Sequence, residues 1–505
     1  MNHRLLTEHL VELEHRCDPA ALRHHGLQVW PVARLAIWNC INGSAAQFLR
    51  LPEAALCSVR HVLTPHGAAT LAAAAEQAQA GREVDMLLFS AAGYYTDQCE
   101  GLAYNRHVDP LLDLFGDRWR MVPLELVEGR QPPQSGQPPQ QARKHPGLVL
   151  EYAVQRRPMP GAQAGKIAGF EALAPAVQAL LGEAVDHARI LQDITTLRAW
   201  RALYTQVLQA LQPRCVGIVC YYHLQAMGLA WACRSLGIPC VELQHGKQGK
   251  YHGMYTHWTR MPADGYEVLP DHFWLWGEES RQNMVATLAP DRRAPVVFTA
   301  GSPWLTLWLD GPGCDPSPEM QQRLDARCAG RHPVLVSLQP LEEPVPPALF
   351  QAIRQSPPSW LWLLRLHPRN VAEAGSLAAW FAELGFRNVE VALANEAPLY
   401  SLLTRSRHHV TGFSSVAYEA LQFGLSSTVF HPTTRDMYAD YLASGHFRYA
   451  DSTQAMLHSV AQGIAEPPRQ EAQPYILHGQ DRLRACLERL LARNEGQRLP
   501  EPAAA

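Results

Sequence analysis

A chain of 505 residues is too long for one hydrophobic core and implies two large domains or three smaller ones. Its composition, 47% hydrophobic and 18% charged with a formal net charge of −3, is that of a globular protein, and it lacks the positive balance of a nucleic-acid binder, so no nucleic-acid partner is expected. No run approaches the ~18 apolar residues of a membrane span, and the opening MNHRLLTEHLVELEHRCDP lacks the apolar centre of a signal peptide, so the expected location is cytoplasmic.

Residues 1 to about 130 read as α/β. The stretch 30–41 is apolar around a single Arg34 and reads as a core helix or strand, because it lacks the basic residues of an interfacial membrane helix. An alanine-rich helix over 67–81 and a short buried strand over 86–90 follow. The loop beyond that strand carries Tyr94, Tyr95, Asp97, Tyr104, Arg106 and Asp109, the composition of a ligand-lining loop. Residues 131–147 are rich in proline and glutamine with almost nothing apolar, which predicts an exposed or disordered insertion within the first domain. Helical patterns cover 164–183, where Pro175 should kink or restart the helix, and 184–212.

A strand over 216–222, a helix over 223–236 closed by Gly237 and a strand over 239–243 form a βαβ unit with parallel neighbouring strands. The second strand runs into Gln244, His245 and Gly246, with Lys247, Lys250 and His252 close behind, at the carboxyl end where open sheets bind ligands. The 11 cysteines include no C-x-x-C pair, and Cys215, Cys220, Cys233 and Cys240 read as small buried hydrophobes. The 23 histidines show no metal spacing, so neither a metal site nor a disulfide framework is expected.

A strand over 271–277 should close a first domain of residues 1–290. A strand over 295–300 should open a second, 291–495, with Gly301 and Ser302 lining the gap between them and a disordered tail over 496–505. From 333 onward strands at 334–338, 360–366, 389–393, 408–411 and 427–431 alternate with helices at 347–355, 371–384, 398–405 and after Ser415, the pattern of a doubly wound parallel sheet. Helices over 453–464 and 478–493 end the fold.

Gln339, His367 and Ser414–Ser415 each end a strand of that sheet and should share one rim. Ser414 reads as an N-cap and Gly424 as the left-handed residue closing the helix, so the two serines start an anion site. Arg365 points to the same side of its strand as His367, Pro368 fixes the direction of the imidazole, and Glu419 lies one helical turn beyond Ser415.

The QHG set at 244–246, the HP pair at 367–368 and the SS pair at 414–415 with its Glu-bearing helix together resemble the GT-B-fold glycosyltransferases of bacterial surface polysaccharides. The nearest groups are capsule and lipopolysaccharide transferases of the sialyltransferase and Kdo-transferase kind, and the CDP-glycerol glycerophosphotransferases. The resemblance implies two Rossmann-like parallel-sheet domains facing a central cleft and a nucleotide-sugar donor, a CMP-sugar above others, with no resident cofactor. Its phosphate would meet His367, Ser414 and Ser415, and the rest of the donor Gln339, Arg365, Glu419, Gly301 and Ser302. A glycan or lipid-linked glycan acceptor would meet Tyr94, Asp97, Asp109, Gln244 and His252. His245 would be the base, ahead of Glu242, Asp97 and Asp109, and His367 would protonate the leaving group. A membrane-borne acceptor implies peripheral contact with the inner membrane. One departure stands out: the acidic pair followed by glycine has no copy, since Glu278–Glu279 is followed by Ser280. No D-x-D pair is present, so no metal is expected at the phosphates. The alternatives are a nucleotide-sugar epimerase of the same fold and a non-catalytic glycan-assembly protein.

Overall fold

Short apolar runs become strands buried on both faces, as parallel sheets covered by helices require. The computed structural model describes the chain except residues 1–2, 43–48, 82, 96, 130–141, 161–162, 164, 247, 289–293, 312, 315–316, 342, 467–474 and 493–505. The 496–505 tail and most of the 131–147 insertion therefore lie outside the described residues.

The first sheet holds eight strands: β1 (Cys57–Leu63), β2 (Met86–Phe89), β3 (Met121–Glu128), β4 (Leu148–Pro158), β5 (Cys215–Val219), β6 (Cys240–Leu243), β7 (His272–Leu275) and β8 (Val296–Thr299). They lie in the order β8-β7-β6-β5-β2-β3-β4-β1, all parallel except β1, which runs antiparallel to β4 at the edge. The second sheet holds β9 (His332–Ser337), β10 (Trp360–Arg365), β11 (Val389–Glu390), β12 (His408–Thr411), β13 (Ser427–Val429) and β14 (Phe447–Tyr449). Its order is β11-β10-β9-β12-β13-β14, wholly parallel. In both sheets the first parallel strand sits inside, with the next two on one side and the later ones on the other. This is the doubly wound Rossmann order, and each sheet has one switch point where a crevice opens, between β2 and β5 and between β9 and β12. The protein thus has the GT-B build of two Rossmann-like domains about a cleft.

Alternation along each strand divides the core. Leu87 and Phe89 face one side of the first sheet and Met86 and Leu88 the other. In the second sheet Leu335, Leu361 and Leu363 face away from Val334, Val336, Trp362 and Leu364.

Several elements depart from the sequence reading. β8, expected to open the second domain, pairs with β7 as the edge of the first sheet, so the boundary falls after it. The last helix, Gln480–Leu491, leaves the second domain and buries Leu483, Leu487 and Leu490 against Met86, Leu88 and Trp274 of the first. A hairpin of Asp97–Cys99 and Leu102–Tyr104 crosses the other way, placing Cys99 and Tyr104 among Trp304, Leu335 and Leu361. Residues 142–147, read as part of the exposed insertion, include a buried Arg143 paired with Glu125 and lying over the Tyr95 ring. The helix Phe170–Leu181 runs unbroken through Pro175. The expected strand over 389–393 is two residues long, after which the chain turns into the helix Ala392–Glu396.

The apolar run around Arg34 is the helix Trp30–Asn42. Arg34 is fully buried because Glu14 meets its guanidinium at 2.6 Å and the carbonyls of Gly253 and Thr256 accept its remaining protons, with the Trp258 ring 4.2 Å away. Glu14 also accepts from Trp30 Nε1 and from Thr259, so the pair staples the 253–259 loop to the first domain. No helix among the described residues is long and apolar enough to cross a membrane.

Candidate functional site

At the first switch point β5 ends in Cys220, whose φ of +63° is a left-handed backbone that a side chain seldom adopts. The turn it makes sends Tyr221 inward and starts the helix Leu224–Leu236, capped by the His223 Nδ1. The neighbouring β6 delivers Glu242, fully buried, and then His245. The His245 Nδ1 stands 3.7 Å from Glu242 Oε1 and 3.5 Å from the Tyr255 hydroxyl, which itself donates to Glu242. Glu242 Oε2 has no partner. The Tyr94, Tyr222 and His107 rings surround His245 with centroids about 6 Å away. His245, Tyr94 and Tyr222 all come within electrostatic reach of the Cys220 sulfur.

The electrostatics of this group follow from its burial. Burial alone would keep His245 neutral, but the Cys220 sulfur and the Glu242 carboxylate against it push it up to about 10. Burial also raises Glu242, although His245 and Tyr255 draw it down. His223 and His107 go the other way: burial and the neighbouring charges hold them neutral, His223 near 4 and His107 well below its ordinary value. The contacts around His245 thus favour its protonated form, while those around His223 and His107 favour the neutral one.

A rigid loop connects this group to the second domain. Asn105 is buried, with its Nδ2 donating to Ser90 Oγ at 2.7 Å, its backbone N–H to Asp109 Oδ2 at 2.8 Å and its Oδ1 accepting from His107. The loop thereby turns His107 toward His245 and Arg106 toward the cleft. Arg106 is held by both oxygens of Asp97, at 2.7 and 3.1 Å. Across the cleft it comes within electrostatic reach of Glu419, Arg365 and Tyr400. Burial raises Glu419, opposed first by Arg106 and then by a hydrogen bond from Tyr400, and its Oε2 has no partner. Burial draws Arg365 down to about 10, and its Nη1 donates to the carbonyls of Ala394 and Ala397.

On the second sheet, Gln339, His367 and Ser414 follow three adjacent strands, β9, β10 and β12. Gln339 and Ser414 flank the switch point itself, where a Cβ on Gly412 would come within 3.1 Å of Gln339 Cγ. His367 lies on the far side of β9 from Ser414, so roughly 10 Å of rim separates them. His367 Nδ1 accepts from the Arg369 N–H, which leaves the proton on Nε2, and burial together with the Arg369 cation lowers its basicity. Ser414 Oγ accepts from the Val416 N–H, while Ser415 occupies the cap position of the helix Val416–Gln422 without a side-chain cap bond. Gly424 is left-handed, at φ +74°.

Some predicted site residues have other work. Gln244 is buried with its amide fully engaged, accepting from Trp276 N and donating to Gly246 O and Ser280, so it joins β6 to β7. Ser302 caps the helix Pro303–Leu309 and donates its backbone N–H to the Leu477 carbonyl, which a Cβ on Gly301 would strike at 2.6 Å, so both lie against the returning C-terminal segment. Asp97 is saturated by Arg106. Asp109 is buried with Oδ1 unpartnered, and burial pushes it up to about 7. His252 stacks on Trp38 and packs against Tyr222 and Tyr255, behind His245. Cys220, read as an inert hydrophobe, is half-buried within the group; the CYY run at a strand end was the signal for it. Tyr255, in a turn, and Tyr400, in the short helix Leu399–Leu403, gave no signal, because only tertiary packing brings them to the site. Among the described residues no set of three His, Cys, Asp or Glu side chains is grouped as metal ligands.

No family model and no curated protein matches the chain. Among solved structures, the UDP-GlcNAc 2-epimerase of Neisseria meningitidis bound to UDP-GlcNAc is 13% identical over 81% of this chain and 100% of its own, with a TM-score of 0.49. The UDP-GlcNAc 2-epimerase of Methanocaldococcus jannaschii is 10% identical over 80% and 98%, with a TM-score of 0.49. The trehalose 6-phosphate synthase of Burkholderia multivorans is 13% identical over 80% and 95%, with a TM-score of 0.39. The fold assignment rests on the strand orders given above.

Proposed function

We propose that this chain is an enzyme of nucleotide-activated sugars, with the nucleotide on the rim of the second sheet and the sugar facing the His245 group. The observation that carries this reading is the Asn105–His107 loop, which puts Arg106 beside Glu419 and Arg365 while His107 packs on His245, so that both rims border one space. Ten ångströms of rim between Ser414 and His367 suits a nucleotide lying along it, with phosphate at the serines and His367 Nε2–H as a neutral donor. Glu419 and Arg106 would then face the ribose and the phosphate charge.

The finer reading is transfer of the sugar to a hydroxyl of a surface glycan or glycolipid, from a CMP-sugar donor; it rests on the HP and SS resemblance. A second reading, epimerisation of the sugar on its nucleotide, is favoured by one observation. The Cys220 sulfur and the Glu242 carboxylate favour the protonated form of His245, whereas transfer needs a base at the acceptor hydroxyl. UDP-N-acetylglucosamine is the sugar nucleotide named with the Neisseria structure and is the probe for this case.

The test has two arms. Thermal melting with CMP, CDP, UDP and GDP should show one nucleotide raising the melting point, since a ligand of the native state alone stabilises it; no response from any of them would contradict the donor site. Incubation with UDP-N-acetylglucosamine alone then divides the readings, because conversion without acceptor belongs to an epimerase. His367→Ala should weaken nucleotide binding, and His245→Ala should remove turnover while leaving that binding in place.

A further inference from the structure

A second group of reactive side chains lies at the domain junction, away from both rims. The hairpin that crosses from the first domain ends its first strand at Cys99. Lys144 Nζ donates to the Cys99 sulfur at 3.4 Å and pairs with Asp113 at 3.3 Å. Asp113 in turn takes Tyr104 Oη at 2.6 Å and His145 Nε2 at 2.9 Å. Cys314, which follows the helix Pro303–Leu309, donates its S–H to the carbonyl of Gln98, the residue beside Cys99, at 3.5 Å. Both cysteines are buried in one core cluster, and their thiols are close enough to influence each other. These two thiols therefore come from segments more than 200 residues apart, on either side of the junction.

We propose that Cys99 and Cys314 are a redox-active dithiol that closes to a disulfide and covalently fastens the crossing hairpin to the second domain. The pair is asymmetric in the way that such chemistry needs. Interaction with Cys314 and then the Lys144 cation lower the Cys99 thiol against the effect of burial, while the same interaction and burial raise Cys314. Cys99 is thus the attacking sulfur and Cys314 the one that keeps its proton. With a hydroperoxide as oxidant, the Cys99 thiolate attacks one peroxide oxygen, the O–O bond breaks and the departing hydroxide takes a proton to leave as water. Cys314 then attacks the sulfur of the resulting sulfenic acid. The S–O bond breaks, the hydroxyl leaves as a second water with the Cys314 proton, and the disulfide forms. Two thiols are oxidised by two electrons, and one peroxide is reduced by two. Lys144, whose side chain is 19% exposed, brings solvent within one side chain of Cys99.

Closure would fix more than the hairpin. Asp97, two residues before Cys99, holds Arg106 at the cleft, so oxidation would lock that arginine's position relative to the second domain. This inference stands on the junction alone and does not depend on what the cleft binds.

The experiment is brief hydrogen peroxide treatment of the full-length native chain at neutral pH. Free thiols are then alkylated in denaturant, and the protein is digested and examined by peptide mass spectrometry. A peptide joining Cys99 to Cys314, lost on treatment with dithiothreitol and missing in Cys99→Ser and Cys314→Ser, is expected. Lys144→Met should slow its formation roughly tenfold. Oxidised wild type should melt at a higher temperature than reduced, with no such gain in Cys314→Ser. Peroxide that leaves Cys99 and Cys314 both alkylatable, takes Cys99 only to sulfinic acid, or joins either cysteine to a different one would overturn the proposal.

Discussion

Cys220 illustrates how a single backbone angle prepares chemistry. Holding a non-glycine residue left-handed costs about 1–2 kcal/mol, and the turn survives because Tyr221 and the helix after it are locked in the core. The gain is a sulfur set against His245. Cys220→Ala should therefore bring His245 down from about 10, read as the chemical shift of its imidazole against pH. A histidine raised by folding adds stability that is complete below about 6.5 and fades as pH rises through the folded value, so the variant should lose this contribution earlier in alkali than wild type; an unmoved titration would remove Cys220 from the site. Asp109 provides the converse test. Burial raises its carboxyl to about 7, so the wild type loses stability between about pH 4 and pH 7 as the charge is forced on. Asp109→Asn should melt progressively above wild type across that interval, by roughly 2–4 kcal/mol at pH 8, with the two alike near pH 4. A constant difference at all pH values would show that the proton is not the cause.

At the scale of elements, the strand ends were legible and the connections were not. The βαβ unit ending in His245 and the three strands ending in Gln339, His367 and Ser414 follow from apolar runs punctuated by glycine and proline, which periodicity exposes. β1, β3 and β4 went unnoticed because charged residues such as Arg60 and Glu151 interrupt their apolar runs, near the β1 end of the sheet where burial is incomplete. The lone Arg34 was visible as an oddity, but its partner Glu14 lies a helix away, and a pairing of that kind is decided by tertiary packing. Similarly, Gln244 looked like a ligand contact because burial of its amide cannot be read from one strand. The last helix was legible as a helix, yet nothing in it says which domain its apolar face meets. Leu487 is buried against the first sheet, so Leu487→Ala should cost about 2–5 kcal/mol and lower the resistance of first-domain peptides to hydrogen exchange. Protection lost only around the second sheet would contradict that placement.

At the scale of the molecule, two exchanges tie the domains together: the hairpin 97–104 sits in the second core and the helix Gln480–Leu491 in the first. Tyr104 packs on Trp304 with ring centroids 5.4 Å apart, and Ser280 and Tyr475 join by a hydrogen bond. Chains of two domains commonly unfold in steps, but here neither core is complete without a piece of the other. Calorimetry should accordingly show one transition in the wild type and two in Trp304→Ala, where the seat of the hairpin is hollowed out. Two resolved transitions in the wild type would mean that the exchanged pieces detach freely.

The same returning helix sets an order of events during synthesis. Every strand of the first sheet is available once Thr299 has been made, but the apolar face over Met86, Leu88 and Trp274 stays uncovered until the whole second domain and then the helix Gln480–Leu491 have followed. At the usual pace of translation that is a wait on the order of 10 s or longer, with an adhesive surface exposed to solvent. The nascent chain is thus a predictable client for holding chaperones over that interval, and release comes only with its final turns.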